Sequence, residues 1–277
     1  MKKINFRTLS LVSFAIFIFL LSLALFFQSR PHLEPPHTVT TTTTRKYVPV
    51  TTRPSGYDSA YFMKYKNRGD CKALKGRVAL NFYLISDGDC LWNAEAEEKL
   101  RQDVGDEIHL MNLDAERFQI PLEFSCNFIP VAMPERMIRE DSDEYIPKIV
   151  QALGYENKHE MIPALREEYG TDSTAILFCF NRDERSFAAH TTAENGFEYC
   201  VLYDGARAFR HELYHVYGAC DLYTPDHINS IAERFFYDSI MRKSGSLVMD
   251  PLTAFTLGWC ERMDERVKEF LETVDRV

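Results

Sequence analysis

His211, Glu212, His215, Gly218 and Asp221 stand within eleven residues in the pattern HExxHxxGxxD. Residues four apart share one face of a helix, so both imidazoles can turn a ring nitrogen toward one metal ion. Glu212, one position on, points beside such an ion, where its water would lie. Gly218 lets the chain leave the helix sharply, because glycine tolerates the left-handed conformation common just past a helix end. Asp221, three residues later, then swings back as a third ligand. Two imidazoles, one carboxylate and an open fourth position describe a catalytic zinc site. The bland alternative is an amphipathic helix with two satisfied histidines and a solvated glutamate. A glycine and a carboxylate at the offsets a metal site needs favour the metal. His227, six residues beyond Asp221, competes as third ligand, but Asp221 has the offset that the glycine turn serves.

The run FRHELYHVYGACDLY, 209–223, resembles the zinc signature of metzincin-clan metallopeptidases, in the variant with Asp rather than His as third ligand. Its CDLY is similar to the PDLY of the immune-inhibitor-A-like bacterial peptidases. YDSIM, 237–241, resembles the Met-turn that underlies the zinc in this clan, and LTAFTLGW, 252–259, resembles the helix that follows it. The motif match covers residues 209–259. The resemblance implies Zn2+ on His211, His215 and Asp221, with Glu212 as general base. It also implies Met241 as an apolar floor that does not coordinate; Met249, in SLVMDP, is the rival for that place. The implied activity is that of a zinc endopeptidase acting on peptide or protein. Many clan members assist the oxyanion with a tyrosine shortly after the Met-turn. Here Arg242 and Lys243 follow Met241, with no tyrosine nearby. Two other functions stay open: a catalytically inactive binding module on the same fold, and a zinc hydrolase of a non-peptide amide. The presence of Glu212 favours an enzyme.

Several elements must position this motif. Residues 77–87 and 121–132 read as β-branched and aromatic strands, with a helix capped by Asn93 between them and running to about 117. Leu100, Val104, Ile108 and Met111 mark the apolar side of that helix. Residues 143–169 read as two short helices divided near Gly154 and ended by Gly170. The apolar run 173–180 reads as a strand buried on both faces. Residues 185–192 read as a more polar edge strand and 197–203 as another strand. After Asp221, residues 226–238 and 261–275 read as helices. The order resembles the upper subdomain of metzincins. The expected fold is α/β (α+β): a twisted mixed sheet with an antiparallel edge strand, an active-site helix, and a small, mostly helical C-terminal subdomain. In that family extended substrate pairs with the edge strand. His190, on that strand, is a cleft-wall residue rather than a fourth ligand, because a closed four-ligand site would be structural.

The chain has 277 residues, 45% hydrophobic and 26% charged, which is ordinary globular composition. Its net charge of −9 argues against nucleic acid, which needs clustered Lys and Arg. Residues 9–27 carry no charge and come after Lys2, Lys3 and Arg7. As a helix they would rise about 28 Å, close to the thickness of a bilayer core. An uncleaved signal anchor fits better than a cleaved signal peptide, since the only small-x-small site, Ser22-Leu23-Ala24, lies inside the apolar run. Either reading exports the chain beyond residue 30, so the protein is expected to be single-pass in the membrane, with its domain extracytoplasmic, or secreted. Residues 31–56, rich in Pro and Thr, read as a linker, and 57–277 as the zinc peptidase domain. Seven cysteines in an exported domain allow up to three disulfides. One involving Cys220 would brace the site. Cys126, Cys179 and Cys200 also fit as small buried hydrophobes. Cys71 fits an N-terminal disulfide better than a thiol placed on the metal.

Overall fold

The structure, a computed structural model, describes residues 57–277 except 89, 195, 204 and 244, and of Glu140 the backbone alone. The expected anchor at 9–27 and the linker at 31–56 lie outside the described residues. No helix among the described residues is long and apolar enough to cross a membrane.

Five strands form one mixed sheet: β1 Gly76–Ser86, β2 Leu122–Ala132, β3 Ser173–Phe180, β4 Phe187–Ala189 and β5 Tyr199–Tyr203. Their order is β2-β1-β3-β5-β4. β1 pairs in parallel with β2 and β3, β5 pairs in parallel with β3, and β4 runs antiparallel along β5 at the edge. Burial depends on position in the sheet. β3 and β5 are buried at every residue and β1 over Val78–Ile85, as strands covered on both faces must be. β2, at the far edge, has one buried residue, Val131.

Parallel neighbours need crossovers, and helices supply them. α1 is Ser59–Met63, α2 Ala94–Arg117, α3 Ser142–Ala152 and α4 Lys158–Tyr169. The Asn93 side chain accepts from the Ala96 N–H at 2.8 Å and starts α2 as the sequence predicts. Gly170, at φ +60°, ends α4 in the left-handed conformation. α5 is Phe209–Val216. Its Phe209 ring meets Phe82 of β1 at 5.4 Å, so α5 lies over the sheet face that carries Phe82. Tyr145 of α3 meets Phe180 of β3 at 5.9 Å. Phe180 alternates with the β3 residues on the Phe82 face, so α3 covers the opposite face.

The chain beyond Asp221 forms α6 Asp226–Phe235, α7 Pro251–Thr256 and α8 Glu265–Asp275. Phe270 of α8 sits 5.9 Å from Phe235, 5.1 Å from Phe236 and 5.4 Å from Phe62 of α1. That aromatic cluster joins the first described helix to the last.

Three expectations need correction. The edge strand is only Phe187–Ala189: before its start the Ser186 hydroxyl, rather than the backbone, takes the Tyr203 N–H, and the chain leaves the ladder after Ala189. The last helix begins at Glu265 rather than 261, where the Asp264 carboxylate caps the Arg266 N–H. All seven cysteines are free thiols, so neither the disulfide framework nor the Cys220 bridge is present. Cys179 and Cys200 are buried among the sheet residues, and Cys71 donates to the Thr174 carbonyl rather than approaching the histidines.

Candidate metal centre

The motif helix is short and lacks a side-chain N-cap. Packing and one ion cluster hold it instead. Arg210, 2% exposed, pairs with Glu107 at 2.9 Å and Asp114 at 3.6 Å on α2. It also donates to the Leu247 carbonyl at 3.2 Å. A buried guanidinium needs such partners, and here they fix the rotation of α5 against α2. At the helix end, the Tyr217 hydroxyl meets Ser173 of β3 at 2.9 Å.

His211 and His215 are turned by their inner nitrogens. His211 Nδ1 lies 3.0 Å from the Ile240 carbonyl oxygen, and His215 Nδ1 lies 2.8 Å from that of Ala219. A carbonyl only accepts, so each Nδ1 carries the proton and each neutral ring presents a bare Nε2 lone pair. The two Nε2 atoms stand 3.1 Å apart. Asp221 Oδ1 is 3.3 Å from the first and 3.1 Å from the second. Three acceptors therefore converge on one point, an arrangement that needs a cation or added protons between them. Asp221 Oδ1 has no well-angled hydrogen-bond donor despite this proximity. Ligands set tetrahedrally around one ion at zinc distances are about 3.3 Å from each other. The observed triangle has that size, and two imidazoles with a carboxylate suit zinc chemically.

The electrostatics agree. Burial would raise the Asp221 pKa, but the two histidines hold it well below the usual carboxylate range. Burial would lower the His215 pKa, and the Asp221 carboxylate reverses the shift to upward. The site favours positive charge at its centre.

Asp221 reaches the histidines because Gly218 turns the chain at φ +101°. A Cβ there would also lie 2.9 Å from the Tyr65 carbonyl oxygen. The next strut is the turn at 239–241. Ile240 carries the carbonyl that holds His211, and the Met241 carbonyl accepts from the Leu222 N–H at 2.8 Å. Ser239 Oγ donates to Asp250 at 2.6 Å and accepts from the Met241 N–H at 3.0 Å. Met241 is fully buried in this turn. Met249 is buried as well, but its carbonyl accepts from Arg117 of α2.

Glu212 and His211 line a cavity of about 750 Å3. Burial raises the Glu212 pKa, against the lowering effect of the two histidines. His190 is outside the triangle. Its ring lies 3.7 Å from that of Tyr65 and 5.8 Å from that of His215, and burial lowers its pKa to about 4. His227 faces Tyr57 at 6.4 Å and does not join the triangle either. Two residues that the motif reading overlooked line the same cavity: Arg185 and Tyr223. Tyr223 was legible as the last letter of CDLY. Arg185 carried no local signal, because the fold brings it in from the segment before β4.

No protein-family model matches this chain, and no curated protein or solved structure is significantly similar to it.

Proposed function

We propose that this chain is a membrane-anchored, extracytoplasmic zinc endopeptidase of the metzincin type. One observation carries the reading. Three lone pairs, from His211, His215 and Asp221, converge at zinc-ligand spacing beside a buried carboxylate, Glu212, at an open cavity. A structural zinc site would be closed by a fourth protein ligand. Zinc, when bound, supplies Lewis acidity toward a water and toward the substrate carbonyl.

The remaining chemistry belongs to the chain. Glu212 accepts a proton from the attacking water and delivers it to the leaving amine nitrogen as the C–N bond breaks. Its burial raises its pKa, which suits a group that must both take and give a proton. The backbone carbonyls of Ile240 and Ala219 hold both imidazoles in the tautomer that leaves Nε2 free. β4 offers the sheet edge along which an extended peptide would lie antiparallel. The apolar segment 9–27 would tether the domain, through the linker 31–56, to the outer face of a membrane.

The test is metal analysis and peptide-library cleavage with the full chain in detergent, beside Glu212→Gln. The expected result is one zinc per chain in both proteins and cleavage by wild type alone. Zinc in both with no cleavage by either would make the chain a binding module. Turnover of non-peptide amides only would make it another kind of hydrolase.

A further inference from the structure

Residues after Met241 offer no tyrosine to meet the charge that develops on a substrate carbonyl oxygen during hydrolysis. The structure supplies a donor from the other side of the motif. Tyr223, two residues past Asp221, lines the cavity with His211 and Glu212. Its ring lies 6.3 Å from the His211 ring in a near-parallel arrangement, so the phenol stands beside the metal triangle. Arg185, from the segment leading into β4, donates from its guanidinium to Tyr223 Oη at 2.9 Å. With Oη accepting from Arg185, the phenolic proton is directed away from Arg185 and toward the Asp221 carboxylate, its acceptor when no substrate is bound. Arg185 is exposed at the cavity wall and keeps further N–H donors.

We infer that Tyr223, polarised by Arg185, is the oxyanion-binding donor of this site. The inference rests on the endopeptidase reading above. When the water oxygen bonds to the carbonyl carbon, the π pair of the C=O moves onto its oxygen. Tyr223 O–H donates a hydrogen bond to that oxygen without giving up its proton, while Arg185 keeps its own hydrogen bond to Tyr223 Oη. When the C–N bond breaks, its pair leaves with the nitrogen, which takes the proton from Glu212, and the oxygen pair re-forms C=O. Arg185 makes the phenol a stronger donor through the cationic hydrogen bond it already holds. A donor aimed at developing charge acts in the transition state and not on the bound substrate, so it sets kcat rather than KM.

A different role for Tyr223 would leave a different trace. A phenol that only steadied Asp221 would, when removed, cost metal affinity by roughly 10–100-fold, as outer-shell partners of metal ligands do.

The experiment uses the zinc-loaded full chain, Tyr223→Phe, Arg185→Gln, the double variant and Glu212→Gln. It measures hydrolysis of one fluorogenic peptide selected from a mixed library and zinc content. It also measures calorimetric binding of the matching phosphinic peptide, which is tetrahedral and anionic at the scissile position. Tyr223→Phe should lower kcat by roughly 100-fold or more, with KM within about twofold and zinc unchanged. Arg185→Gln should lower kcat by about tenfold, and the double variant should resemble Tyr223→Phe, because the two act as a unit. Phosphinic-peptide affinity should fall in step with kcat/KM. Wild-type kcat in Tyr223→Phe overturns the inference while leaving the endopeptidase reading intact. So does a loss of activity accompanied by loss of zinc, which would give Tyr223 to Asp221. A wild-type chain that cleaves no peptide overturns both.

Discussion

His211 Nδ1 lies 3.0 Å from the carbonyl oxygen of Ile240, 29 residues further along the chain. The helix that carries two of the candidate ligands is thereby tied to the turn that carries Met241. The Met241 carbonyl in turn holds Leu222, the neighbour of Asp221. One turn braces both ends of the triangle, and the ligands stand or fall together.

His211→Ala and His215→Ala should each abolish zinc retention through gel filtration, because two remaining ligands do not hold the ion against exchange. Asp221→Asn should weaken affinity by at least about tenfold in a chelator competition, since it replaces the anionic ligand with a neutral one. Full zinc occupancy in both histidine variants would remove the ion from the site.

Gly218→Ala should cost about 1–3 kcal/mol in thermal or denaturant unfolding. Gly218 sits at φ +101°, and a Cβ would meet the Tyr65 carbonyl at 2.9 Å. Part of the strain should be relieved by shifting the Gly218–Asp221 segment, so zinc affinity should fall as well. Unchanged stability and unchanged affinity would mean that the turn tolerates a left-handed alanine.

Met241→Leu should be tolerated, with a stability cost under about 1.5 kcal/mol. Met241→Ser buries a hydroxyl in a fully buried position and should weaken zinc retention and lower activity. Met249→Leu should cost modest stability and leave zinc retention unchanged, because its backbone partner is Arg117 and not a ligand segment. Zinc affinity lost from Met249→Leu and kept in Met241→Ser would reverse the assignment.

Glu198 is 1% exposed and accepts from the Asp70 N–H at 3.0 Å. Burial raises its pKa to about 7, chiefly by desolvation. A carboxyl whose folded pKa lies above its unfolded value stabilises the fold in its protonated form. That stability is complete below the unfolded pKa and is lost as pH rises through about 7. Glu198→Gln keeps the acceptor for Asp70 without the charge. The melting temperature of the variant relative to wild type should therefore increase steadily from about pH 5 to about pH 8. A difference independent of pH would show that Glu198 titrates like a solvent-exposed carboxyl.

Much of this was legible from residue types in order. Asn93 as a cap, Gly170 as a stop and the wholly apolar 173–180 run mark their elements because capping, left-handed backbone and double burial are local requirements. The HExxHxxGxxD spacing marked three candidate ligands and a candidate base by helix periodicity and one glycine turn, and the structure brings ligand atoms of His211, His215 and Asp221 within 4.8 Å of one another. The seven cysteines misled because composition reveals a number and not a geometry; bridging depends on distances that only packing sets. Tertiary structure alone decided the rest. It chose the tautomers of both histidines through the Ile240 and Ala219 carbonyls. It started the edge strand only at Phe187, where the Ser186 hydroxyl takes the Tyr203 N–H in place of the backbone. It brought Arg185 to Tyr223 across 38 residues of sequence. Contacts of that kind join segments with no periodic relation to each other, so no local pattern in the chain records them.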